Sequence, residues 1–129
     1  MRLRIATTIL LLLSLSAHAK DWSCRNNEME ITCGNGKCES SQGFTPMSVD
    51  FNSSGKLSVC AYSGCWEGKG KGINNKDFFT VIAHSLKFST ATSTQMNENV
   101  AIIVDLHDNI AVMKVGSYAQ PLTCAKPKH

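Results

Sequence analysis

The sequence predicts an all-β protein: a small antiparallel β-barrel or sandwich built from sequential hairpins and stapled by disulfides. Three observations predict it. Apolar residues recur at every second position in several short runs, and these runs meet at turns rich in glycine and asparagine. Six cysteines, Cys24, Cys33, Cys38, Cys60, Cys65 and Cys124, follow an export-type leader, and none lies within it. No stretch repeats its apolar residues at the spacing of an amphipathic helix.

The leader occupies residues 1–19. Met1-Arg2-Leu3-Arg4 is a basic start, Ile5 to Leu15 an apolar stretch, and Ser16-Ala17-His18-Ala19 a small-x-small cleavage site, so the mature chain is expected to begin at Lys20 and to form one all-β domain over residues 20–129. Cleavage removes Arg2 and Arg4, which lowers the formal charge from +3 to about +1. A balance so close to neutral argues against nucleic acid, which demands a concentrated cationic face. Beyond the leader no apolar run approaches the roughly 20 residues of a membrane span, so the mature chain is expected to be periplasmic or secreted without membrane insertion.

The first hairpin is read over Met29 to Ser41, turning at Asn35-Gly36 and setting Gly34 opposite Lys37 and Cys33 opposite Cys38. The second runs from Met47 to Ala61. A three-residue loop, Ser53-Ser54-Gly55, with Gly55 left-handed, pairs Phe51 with Leu57 and Val49 with Val59, and it puts Cys60 on the opposite side beside Ser48. Further strands are expected at Phe78 to Ala83, Leu86 to Ser89 and Tyr118 to Thr123, with Thr90 to Asn99 as a polar connection. In Val100 to Val115, a two-residue turn at Asp108-Asn109 would set Leu106 opposite Ala111, Val104 opposite Met113 and Ile102 opposite Val115. Eight or nine short strands follow, and a closed meander leaves the fewest unpaired edges.

Cys33–Cys38 falls on facing positions of a tight hairpin, which is bridging geometry. Cys60–Cys65 repeats the same spacing around Tyr62-Ser63, and Cys24–Cys124 would join the first strand to the last. Fifteen pairings are formally open. A metal site made from the two Cys-x4-Cys pairs is the alternative, but structural zinc more often uses Cys-x2-Cys.

Signals for catalysis are sparse. Ala61-Tyr62-Ser63-Gly64-Cys65 lacks the first glycine of a nucleophile elbow. His107 lies two residues from Asp105 beside a turn, where an acid could orient an imidazole, although an exposed hairpin-end histidine is the plainer reading; His84 and His129 have no evident partner. Glu67, Asp77, Asp105 and Asp108 could supply paired carboxylates, a set that any chain of this length offers. No catalytic residue, metal ligand or cofactor is assigned. The most unusual composition is Gly64 to Gly72, a glycine–lysine run without the Ser or Thr of a phosphate loop. One reading is a flexible connection. The sharper one is a recognition loop over Tyr62 to Gly72, with Tyr62 and Trp66 as aromatic anchors, Ser63 as a contact, and Lys69 and Lys71 presenting charge; Trp66 reads equally well as core.

Trp22-Ser23-Cys24 near the start, Ser63-Gly64 in the middle and Leu122-Thr123-Cys124 near the end resemble the bacterial periplasmic and membrane-bound inhibitors of C-type lysozyme. The resemblance implies an antiparallel β-barrel that blocks the enzyme cleft with an inserted loop. In this chain, Ser63 and Lys69 would be the residues that engage the catalytic carboxylates. The chain departs from the family in carrying Cys65-Trp66 after Ser-Gly, where the family has tyrosine, and in its four further cysteines.

The expected function is therefore non-catalytic binding of a protein partner, such as a lysozyme-like wall-degrading enzyme, by an inhibitor or immunity factor. The rival expectations are a small periplasmic hydrolase or metal-binding protein built on His107, and a structural or secretion-associated accessory protein.

Overall fold

A computed structural model describes residues 21–43, 45–62, 64–90 and 94–125, with the backbone alone for 94–96. The leader, Ser63 and His129 lie outside the described residues.

Strands β1 (Asp21–Asn26), β4 (Met47–Asn52), β5 (Lys56–Ala61), β6 (Gly64–Lys69), β8 (Phe78–Thr90), β9 (Thr94–Asp105), β10 (Ile110–Val115) and β11 (Tyr118–Ala125) form an antiparallel barrel, closed where β1 pairs with β11. Closure satisfies the backbone groups that a flat meander would leave at two edges. Three short strands are added to it: β2 (Glu30–Gly34) and β3 (Lys37–Ser41) form a hairpin that leaves the barrel beside β11, and β7 (Lys71–Asn74) continues β6 along β8.

Strict alternation of buried and exposed residues in β1, β4 and β10 turns one side chain in two inward. Apart from Asn26 and Gln120, the inward set is apolar and fills the barrel. At one end Trp22 stacks on Phe51 and Phe79, with ring centroids 5.4 and 4.5 Å away. Val49, Val59, Val81, Ile102, Val104, Met113 and Val115 complete a solvent-free centre. Burying each such side chain is worth roughly 1.5–3 kcal/mol.

The two hairpins read from Met29 and Met47 take the expected registers: Cys33 faces Cys38, Val49 faces Val59, Phe51 faces Leu57 and Ser48 faces Cys60. Asn35 and Gly36 both have positive φ, 50° and 73°, as a two-residue turn with right-handed strand twist requires. Gly55 has φ 88°, and a Cβ there would lie 2.2 Å from the Gly70 carbonyl oxygen, so both conformation and space demand glycine. All six cysteines are paired, Cys24–Cys124, Cys33–Cys38 and Cys60–Cys65, a set suited to an oxidising compartment.

Four expectations are corrected. The β9–β10 turn is not Asp108-Asn109 but the four residues 106–109, which pairs Ala111 with Val104 and Met113 with Ile102. Asn109, at φ 61°, donates its amide to the Asp105 carbonyl at 3.0 Å, and the carboxylates of Asp105 and Asp108 accept the amides of His107 and Ile110, both at 2.8 Å. The aspartates stabilise the wider loop, and because the slip is by two residues the same side chains still point inward. The strands expected at Phe78 and Leu86 are one strand, bent at a bulge where Ser85 has φ 53° and its amide donates to Asn99 Oδ1 at 3.0 Å. The polar connection expected over Thr90 to Asn99 is strand from Thr94 onward, because pairing with the long β8 outweighs local composition. The glycine–lysine run is strand as well, forming β6 and β7.

Candidate functional site

The glycines of β6 and β7, and Gly70 between them, make room for the side chains and backbone of β8. A Cβ at Gly64 would fall 2.3 Å from the Phe88 ring, one at Gly68 would fall 2.6 Å from Leu86 Cδ2, and one at Gly70 would fall 2.3 Å from the Ile82 carbonyl oxygen. Residues 64–72 are therefore close-packed against a neighbouring strand rather than free to adapt around a partner.

This packing separates the residues that the sequence grouped into one loop. Trp66 points inward, 7% exposed, with its ring 4.5 Å from that of Phe88, and so belongs to the core. Lys69 and Lys71 are exposed at the opposite end of the barrel from Tyr62, roughly 23 Å along the strand direction from Tyr62 to Lys69. Lys69 faces Lys56 across the β5–β6 ladder, and the two share a shallow groove of about 980 Å³ with Asp21, Asp50 and Glu67. Ser58 Oγ donates to Glu67 Oε1 at 3.2 Å within that groove.

Tyr62 remains at the turn between β5 and β6, with 81% of its surface exposed, the largest value among the exposed large hydrophobic residues described. It occupies the left-handed region at φ 50°, which is uncommon for a bulky residue. Immediately behind it Ala61 faces Gly64 and the Cys60–Cys65 disulfide ties the two strands, while the Phe88 ring packs on Gly64 from the barrel side. A disulfide, a glycine–aromatic contact and a tight ladder thus stand directly behind one solvated aromatic side chain.

His107 lies in the β9–β10 loop. Its Nε2 is 3.1 Å from Asp77 Oδ1, with both side chains largely exposed. The hydrogen bond to Asp77 raises the imidazole pKa above 6.5; desolvation opposes it, and the negative charges of Asp105, Asp77 and Asp108 add smaller upward contributions. No serine, threonine or free thiol is paired with this histidine among the described residues, and no group of three or more His, Cys, Asp or Glu side chains that could hold a metal ion occurs there. His84 is exposed beside the β8 bulge.

The sequence reading missed an apolar outer surface. Ile73, Phe78, Ile82, Ile103, Ile110 and Val112 are 39–56% exposed on the outward side of β7, β8, β9 and β10. Its signal was legible in Val100-Ala101-Ile102-Ile103-Val104, where both alternating sets are apolar. A strand with only one buried side should carry polar residues on the other.

Comparison with protein-family models, with curated proteins and with solved structures gives no match to this chain.

Proposed function

We propose that this chain is an exported, non-catalytic binding protein that blocks a wall-degrading enzyme of the lysozyme type, acting in the periplasm or outside the cell as an inhibitor or immunity factor. The observation that carries the reading is Tyr62: an aromatic side chain almost wholly in water, on a left-handed backbone, with the Cys60–Cys65 disulfide two residues before it. Exposing that ring and holding it left-handed both cost free energy, and a cost maintained at a protrusion fits insertion into a partner's cleft. Aromatic anchors of this kind dominate binding where a pocket desolvates them. Ser63 stands next to Tyr62 in the chain, where the family resemblance would place the residue that meets a catalytic carboxylate. Lys69 and Lys71 are too distant to enter the same cleft with Tyr62 and would at most contact its rim.

The test is turnover of C-type lysozyme with the oxidised protein added. Inhibition is expected, and Tyr62→Ala should weaken it at least tenfold while Lys71→Ala changes it less than threefold. Full turnover at a large excess of folded protein would overturn the reading.

A further inference from the structure

We propose that the outward side of β7, β8, β9 and β10 is the interface of a symmetric homodimer. Register places Ile73, Thr80, Ile103 and Val112 next to one another as consecutive cross-strand partners, with Pro121 following on β11. One row towards the Tyr62 end lie Lys71, Ile82, Ala101 and Lys114; one row towards the other end, Phe78 faces Asp105 and Ile110 opens β10. Because the closed barrel curves away to either side, the exposed apolar side chains form a patch centred on β8, β9 and β10, roughly 14 by 20 Å from strand and residue spacings. The opposite side of the same barrel is polar, with Asp21, Ser23, Asp50, Asn52, Lys56 and Ser58 at its outward positions. The barrel is therefore two-sided, although closure alone needs apolar residues only within.

Charge distribution selects the occupant. Lysines 71 and 114 border the apolar rows on one side; on the other stand Asp77, Asp105 and Asp108, of which Asp77 is paired with His107 and flanked by Lys76, so Asp105 and Asp108 carry most of the negative charge there. A two-fold axis lying in the plane of the surface, parallel to the rows and passing over Ile103, sets one copy's lysine side over the other's aspartate side and superposes the apolar rows. That self-complementarity is the requirement of an isologous contact. A membrane surface or an acidic partner would match only one border. The patch is well below the roughly 800 Å² per partner of a standard interface, so the dimer is weak and reversible. Tyr62 lies on the β5–β6 turn, outside this surface, so the dimer is independent of the inhibitor reading.

Analytical ultracentrifugation of the oxidised chain across micromolar to millimolar concentration tests the proposal. A monomer–dimer equilibrium is expected. Ile103→Lys and Val112→Lys, each outward-facing and each checked for native circular dichroism, should raise the dissociation constant at least tenfold, and so should Lys71→Glu combined with Lys114→Glu. A chain that stays monomeric at millimolar concentration, or a dimer indifferent to the charge-reversed pair, would refute it. Binding of the monomer to phosphatidylcholine–phosphatidylglycerol vesicles that Ile103→Lys abolishes would refute it equally, by assigning the surface to lipid.

Discussion

Cys24 and Cys124 face each other across the β1–β11 seam with their Cα atoms 3.9 Å apart, so the bond that closes the barrel covalently also spans a sequence separation of 100 residues. Cys33–Cys38 and Cys60–Cys65 each span five and lie within single hairpins. In the chain-entropy account the long loop is worth about 4.7 kcal/mol and each short one about 2 kcal/mol. Urea unfolding of the Cys24→Ala/Cys124→Ala variant should therefore show a loss larger by roughly 2–3 kcal/mol than that of Cys33→Ala/Cys38→Ala. Equal losses would mean that the 100-residue loop contributes no more than a hairpin bridge, and that packing already restrains the unfolded seam.

Tyr62 separates stability from binding. Replacing it with glycine relieves the left-handed strain, at φ 50°, and removes a ring that makes little burial. Thermal unfolding of Tyr62→Gly should show stability unchanged or raised by up to about 1 kcal/mol, since the strain relieved is partly offset by the entropy glycine gains in the unfolded chain. If the inhibitor reading holds, the same variant loses inhibition.

The glycines of the run from 64 to 72 are required by space. Gly70→Ala would set a methyl 2.3 Å from the backbone oxygen of Ile82, and the strands can accommodate it only by separating. A loss of about 1–3 kcal/mol is expected. Gly34→Ala, with nothing within 4 Å, is the control and should cost far less. Comparable losses in the two variants would show that the close approach of Ile82 is not what requires glycine at position 70.

His107 should titrate above its ordinary value of 6.5 because Asp77 holds the protonated ring. The sign follows from that direction: a pKa raised on folding favours the folded state below the unfolded pKa, and the contribution is lost as pH rises through the raised value. Nuclear magnetic resonance of the imidazole protons should show the midpoint fall in Asp77→Asn. An unchanged midpoint would assign the shift to Asp105 and Asp108. Both groups are exposed, so the effect on overall stability is expected to be small.

Local pattern revealed much of this molecule. A period of two, Asn35-Gly36, and Gly55 three residues after Asn52 are short-range signals, and the strands and registers around them follow from backbone conformations that few other residues adopt. Hairpin register pointed to Cys33–Cys38, and equal spacing suggested Cys60–Cys65, but fifteen pairings stayed open until the strands were placed, when β1 and β11 brought Cys24 to Cys124. Reading Asp108-Asn109 as the turn failed by two residues, since an even slip leaves every side chain on its own side and the pattern cannot detect it.

The sequence marked Tyr62 as an exposed aromatic side chain, and it is exposed; along the rest of the run the structure was illegible. Composition marked residues 64–72 as a loop, yet the bulk of Phe88, Leu86 and Phe79 on β8 is what those glycines answer, and nothing nearby in the chain announces that neighbour. The inward turn of Trp66, the distance from Tyr62 to Lys69, and the assembly of Ile73, Ile82, Ile103 and Val112 into one surface all come from pairings between strands remote in sequence. Alternation specifies which side chains share a side of a strand; which strands become neighbours is settled by closing the barrel around a filled core, a condition that involves the whole chain at once.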